Sequence, residues 1–416
     1  MLGAFYITVK GSNFLNNVIG FPRSIRIVEI HSFFFCFLLF CIALNAQAQK
    51  EGNIWYFGHH AGLDFSDGSP KVLSDGALFT EEGVATICDK SGKLLFYTDG
   101  ITIWNREHQE MPNGTGLLGN KGSTQSAIIV PAVDNISGYY VFTVELGGDP
   151  NGLNYSFVDM NLDGGLGDLV NKNVQLQTPV CEKITAVKHC NGKDIWVITH
   201  GWNDDAWYAY LVTSSGVGIL PVVTHTGRLV TGHFDGTLGY LKASPNGKRL
   251  AAAHFGLNGL DLLDFDNSTG IVSNPLVLTT GTHYYDGAYG VEFSPNSKVL
   301  YANNWYYDQA TFIVMNILVQ YDISLSTDSD IIKSKKELFK LDVLWQYMGL
   351  PAIGTRWQNL YGKYGISIFF VSYKSPRCSR CQLWFCRKSI VNNSNRWYCS
   401  QVWATHVYTK FLEAPF

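Results

Sequence analysis

The sequence predicts an all-β chain arranged as a β-propeller of four-stranded blades. Three observations point there. One turn occurs twice, as Ser244-Pro245-Asn246-Gly247-Lys248-Arg249-Leu250 and, fifty residues on, as Ser294-Pro295-Asn296-Ser297-Lys298-Val299-Leu300. Turns beginning near Asp89, Asp134, Cys190, Pro245 and Pro295 stand 45 to 56 residues apart, the length of four short strands with their loops. Composition agrees: charged residues are 16%, aromatics 14%, and there are 41 glycines, which suits half-buried strands joined by tight turns and argues against disorder.

Residues 1–48 read as an upstream extension plus a secretory signal peptide. Arg23 and Arg26 precede an apolar run from Phe33 to Leu44, and Ala46-Gln47-Ala48 supplies the small residues of a cleavage site before Gln49. The apolar run is too short for an ordinary membrane span, so no stable insertion is expected after cleavage. The stretch ahead of it is longer than signal peptides carry, which places the expected true start codon after Met1. Export puts the mature chain outside the inner membrane, secreted or at the cell surface.

Residues 49–345 read as blades. Ala85-Thr86-Ile87-Cys88, the turn Asp89-Lys90-Ser91-Gly92 and Lys93 to Thr98 form a hairpin, and Asp99-Gly100 leads to a third strand through Trp104. The same plan recurs with Ala127 to Val130 before Tyr139 to Phe142. It recurs again with the turn Cys190-Asn191-Gly192-Lys193 before Ile195 to Ile198, and in the two units that carry the repeated turn. In those units Pro presets φ at turn position i+1 and Asn supplies a local acceptor. The stretch Asn53 to Leu73 holds only part of a blade.

Several segments resemble a known family. Asn53-Ile54-Trp55-Tyr56-Phe57-Gly58, Gly62-Leu63-Asp64-Phe65, Phe96-Tyr97-Thr98-Asp99-Gly100, Trp104-Asn105 with Met111-Pro112-Asn113-Gly114, and Ser123-Thr124-Gln125-Ser126 are similar to the secreted WD40/YVTN-like β-propeller surface proteins of gliding, Bacteroidetes-type bacteria. The resemblance spans roughly residues 50 to 345. It implies seven blades, of which about five and a half are encoded intact here, and a link to type IX secretion and C-terminal sorting modules.

Residues 346–416 break the pattern. Five of the eleven Trp and four of the nine Cys fall in the last 72 residues, without a blade turn. Cys378, Cys381, Cys386 and Cys399 offer one C-x-x-C half-site, but the second spacing does not suit zinc. A frame shifted by one base permits a P-D-G-K turn within Leu350 to Lys363 and a closing strand G-L-P-T-F-I-Q-S-F within Trp403 to Phe411. We expect a frameshifted last blade and closing strand, with the shift between about 325 and 350. An unsealed blade edge is also expected, and with it poor folding and aggregation.

Net charge is −3 with no basic block, which argues against a nucleic-acid partner. No hydrolase, zincin, phosphate-loop or dinucleotide signature is present, so no catalytic residue, metal ligand or cofactor is assigned. The candidate binding residues are aromatics able to stack on sugar rings: Trp202, Trp207, Tyr284, Tyr285 and Trp305. Packing between blades competes as their explanation. The histidines His59, His60, His200, His225, His233, His254 and His283 lie near blade ends, and three meeting Asp235 or Asp286 would make a metal or acid–base site. His200 and His254 fall at matching repeat positions, which an inter-blade role explains. The expected function is an exported, non-enzymatic module gripping polysaccharide or a surface protein. The alternative is a propeller hydrolase or lactonase with His and Asp at the central channel.

Overall fold

In a computed structural model of the chain, the described residues are 50–67, 70–80, 82–280, 287–308, 313–344, 383–391 and 394–402. They form six blades of an all-β propeller. Blade I has three strands, β1 (Ile54–Phe57), β2 (Ala61–Asp64) and β3 (Lys71–Leu73). Blade II holds β4 (Ala85–Cys88), β5 (Leu94–Thr98), β6 (Thr102–Asn105) and β7 (Glu110–Thr115). Blade III holds β8 (Ala127–Pro131), β9 (Gly138–Val144), β10 (Leu153–Asp159) and β11 (Asp168–Gln177). Blade IV runs β12 (Val180–Lys188), β13 (Ile195–Gly201) and β14 (Asp204–Thr213), with the short β15 (Gly216–Val217) and the long β16 (Val222–Val230) both on β14. Blade V is β17 (Leu241–Ala243), β18 (Arg249–His254), β19 (Gly259–Asp266) and β20 (Ile271–Thr280). Blade VI is β21 (Ala288–Phe293), β22 (Val299–Asp308), β23 (Ile313–Asp322) and β24 (Lys336–Leu344), with a six-residue helix α1 (Asp328–Lys333) before its last strand. Every pairing is antiparallel, and within blades II, III, V and VI each strand pairs with its neighbour in sequence.

The repeated turn works as its residues suggest. Gly247 donates to Ser244 O at 2.8 Å, Asn246 Oδ1 accepts from the Lys248 amide, and Ser244 Oγ accepts from the Arg249 amide. The second copy repeats these bonds at Ser294, Asn296, Lys298 and Val299.

The core lies between blades. Leu250 and Ala252 of β18 pack towards blade IV with Trp196 and Trp207, while Ala251 and Ala253 pack towards blade VI with Val291 and Leu300. A strand buried on both faces must be apolar at successive positions, and the run Leu250 to Ala253 meets that demand. Its three alanines also let the sheets approach closely. First strands of successive blades touch around the axis, so residues at their entrances are brought together.

The resemblance implies seven blades; six are present among the described residues, five complete and one of three strands. The position near 350 expected for a further blade lies outside the described residues. So do residues 1–49, with the signal peptide, and most of the tail, including Cys378 and Cys381. Within the tail, β25 (Leu383–Val391) and β26 (Ser394–Val402) pair as a hairpin that sets the Cys386 backbone opposite Cys399. No helix among the described residues is long and apolar enough to cross a membrane.

Candidate functional site

The connections that enter the first strands converge at one end of the channel, and the Ser123-Thr124-Gln125-Ser126 motif sits at their centre. Ser126 Oγ donates to Gly83 O of the connection entering blade II, and Ser123 Oγ to Val144 O. Thr124 donates through its amide (2.7 Å) and its hydroxyl (3.0 Å) to Glu182 Oε2 of blade IV. Gln125 Oε1 accepts from the amides of Ile184 (3.1 Å) and Leu241 (2.8 Å), joining blades IV and V. Tyr289 of blade VI donates to Glu82 Oε2 at 2.6 Å, ahead of blade II. The other oxygen of Glu182 accepts from the Gly147 amide (2.9 Å) and the Thr237 hydroxyl (3.3 Å). A carboxylate this deeply buried is stable because several donors surround it.

Below this hub lies a cavity of about 310 Å³. Its walls include Trp55 and Phe57 of β1, Ile128 of β8 and Ile184 of β12, with Glu82 and Lys242 among its polar lining. It is a largely apolar space with a few placed polar groups, the usual character of a small-ligand pocket. β1 reaches the channel because blade I has no further strand inside it among the described residues. Its Tyr56 amide donates to the side-chain hydroxyl of Thr86 on β4 rather than to a backbone carbonyl.

Beside the hub, a turn of blade IV and the segment before blade V bring aromatic side chains to the rim, against glycines of a blade III loop. Trp202, half-buried in the β13–β14 turn, lies against Gly148 of the β9–β10 loop and Gly236 of a 3-10 turn before blade V. A Cβ at Gly148 would stand 2.3 Å from the indole. Phe234 of that 3-10 turn is 46% exposed, and its Cβ lies 3.9 Å from the Cβ position at Gly147. His233 packs its ring on Phe234 with centroids 4.5 Å apart and pairs with Asp235 at 3.1 Å. The glycines are required here: Gly147 and Gly148 both have positive φ, and only a missing side chain admits the indole.

The other candidate aromatics are placed differently. Trp207 is 2% exposed; it belongs to the core between blades IV and V, and its indole donates to Thr226 O. It is not available to stack on a ligand, because strand alternation turns it onto the neighbouring blade. Trp305 is placed by its backbone, opposite Asn316 of β23. Tyr284 and Tyr285 lie outside the described residues, as do His283 and Asp286. Phe234 was not expected from the sequence, and His233 only as a candidate metal or acid–base residue, since a short 3-10 turn has no periodic signal. The segment Gly232-His233-Phe234-Asp235-Gly236, an aromatic flanked by glycines, is the trace they leave.

Among the described residues, the candidate histidines are not gathered into one site. His200 and His254 are both fully buried between blades IV and V, with ring centroids 6.0 Å apart. His254 Nε2 is 3.4 Å from Asp261 Oδ2, and Asp261 is held by a two-pronged contact from Arg228. His225 is exposed and hydrogen-bonded to Asp205 at 2.6 Å, with Asp204 3.6 Å away. These three could ligate a metal ion together, but the His–Asp bond already accounts for their approach.

No protein family matches the chain, and no curated protein matches it. Solved structures do. A provisionally assigned 6-phosphogluconolactonase from Bacteroides fragilis is 10% identical, with 83% of this chain and 90% of that one covered and a TM-score of 0.41. Another from Bacteroides uniformis is 13% identical over 76% and 94% of the two chains, with a TM-score of 0.36. The periplasmic gluconolactonase of Pseudomonas aeruginosa is 13% identical over 74% and 82%, with a TM-score of 0.38. The propeller assignment itself rests on this chain's own strand pairing and needs none of them.

Proposed function

We propose that the chain is an exported propeller that binds glycan through the rim formed by Trp202, Phe234 and His233, without turning it over. The observation that carries this reading is the rim itself. An aromatic side chain from blade IV and one from the turn before blade V stand beside the adjacent glycines Gly148 and Gly147, with a His–Asp pair next to Phe234. Flat apolar faces beside hydrogen-bonding groups suit a sugar ring, which has both kinds of surface. The hub supports binding over hydrolysis, because the Glu182 carboxylate is occupied by donors of neighbouring blades. Export would follow from cleavage before Gln49, and a cell-surface setting would supply polysaccharide partners.

The test is calorimetric titration of the mature chain with cello-, xylo-, manno- and chito-oligosaccharides, beside an assay with glucono-1,5-lactone. Saturable binding to one series, weakened about tenfold or more by Trp202→Ala and by Phe234→Ala, is expected. Turnover of the lactone would replace this reading with the lactonase one. Binding that both variants leave unchanged would move the site off the rim.

A further inference from the structure

We propose that the seam between blades IV and V is an acid-sensitive latch, closed while the His200 and His254 rings are neutral and opened when protons enter them. The seam is a sealed space with few counter-charges. Blade IV supplies Cys181 and Lys183 from β12, His200 from β13 and Arg228 from β16; blade V supplies His254 from β18 and Asp261 from β19. Lys183 is fully buried and donates to Thr237 O (2.9 Å) and Leu238 O (2.6 Å). Glu182, its neighbour in sequence, sends its carboxylate to Thr124 and Gly147 on the other side. Two cations therefore already face one carboxylate, Asp261. Each histidine proton adds a further positive charge beside a carboxylate that Arg228 already engages.

The His200 ring is bonded as a neutral tautomer. His200 Nδ1 lies 2.7 Å from Gly201 O, so it carries the proton and Nε2 keeps a bare lone pair. That Nε2, and Nδ1 of His254, are buried without a hydrogen-bond partner, while His254 Nε2 lies 3.4 Å from Asp261 Oδ2. A second proton on either ring would sit at one of those two bare nitrogens, with no acceptor facing it. Burial first, then the facing His254, pushes the His200 pKa from 6.5 down to about 3, and burial likewise lowers His254. Burial alone would raise Asp261, but His254 and Arg228 outweigh it and hold it at about 2, so it stays charged through the window that matters. An opened seam takes up protons near pH 6.5, whereas in the closed seam His200 refuses one until near pH 3 and His254 is held down in the same direction. Closure is thus fully favoured above about pH 6.5 and weakens steadily as pH falls below it.

Trp207 provides a probe, because its indole meets the His200 ring edge-on with centroids 4.5 Å apart. The experiment is amide hydrogen exchange of β13 and β18, with Trp fluorescence, between pH 7 and 4 on the mature chain and on the His200→Gln/His254→Gln variant. In the parent the opening constant should rise about tenfold per pH unit for each histidine that titrates, and the variant should lose that slope. An equal acid slope in both proteins overturns the latch, since other carboxylates would then explain it. Should the variant not fold, imidazole NMR of the parent decides. Rings that stay neutral below pH 5 while the seam exchanges slowly support the latch; rings that titrate near 6.5 with the seam intact overturn it.

Discussion

Ser297 accepts a hydrogen bond at 3.0 Å from the backbone amide of Asn246, so the second copy of the repeated turn is bonded to the first. Ser297 stands where the first copy has Gly247, and both have positive φ, +58° and +71°. A serine in that conformation costs about 1 kcal/mol relative to glycine. The bond to Asn246 offsets it. Ser297→Ala keeps the strain and loses the bond, and should lower unfolding free energy by about 1–2 kcal/mol in a urea titration. Ser297→Gly loses both and should fall within about 0.5 kcal/mol of the parent.

Gln125→Ala should be among the most damaging changes at a polar site. It strips the acceptor from two buried amides, those of Ile184 and Leu241, at a cost of about 2–4 kcal/mol. Equilibrium unfolding measures it. A loss below about 1 kcal/mol would mean that the hub does not hold blades IV and V together.

Gly148→Ala should distort the rim while sparing the core. Its φ is +80°, and the added Cβ would stand 2.3 Å from Trp202. The expected loss of stability is about 1–3 kcal/mol, with a shift in the Trp202 environment visible by fluorescence in a Trp207→Phe background.

Thiol chemistry should separate Cys190 from Cys88 and Cys181. Cys190 is exposed, whereas Cys88 and Cys181 are buried, and burial pushes the Cys181 thiol up to about 12. With an aromatic disulfide reagent at pH 8, Cys190 should react first and Cys181 only on unfolding. Fast modification of Cys181 in the native protein would mean that the seam between blades IV and V opens freely.

The reading-frame expectation can be settled on DNA. Sequencing across codons 320 to 416 and past the stop should show one base gained or lost, with the other frame running through the P-D-G-K turn and the closing strand. Stop codons in that frame, or no such motifs, would end the idea and make the written tail real.

The strands were the legible part of the sequence. Ala85 to Cys88, Ala127 to Val130, Ile195 to Ile198 and Leu250 to Ala253 all lie in strands, because turn chemistry and burial act over a few neighbouring residues. The site was harder to see. Trp202 and Trp207 are five positions apart and alike on paper, yet one lies at a loop and the other faces the next blade. Which blade a side chain meets depends on how sheets stack, and strand periodicity carries no record of that. His200 and His254 show the same limit. Their matching repeat positions were visible, but not that the two rings share one sealed seam without bonding to each other.

Gln125 also bears on how the chain is made. Its partner Leu241 lies 116 residues downstream, and Tyr289 reaches back 207 residues to Glu82. A chain emerging from a ribosome or translocon in sequence order exposes the centre of its ring until those later segments arrive. Folding so dominated by distant contacts is slow. For that interval the early blades present open strand edges, and a chaperone able to shield them would govern the yield of the protein.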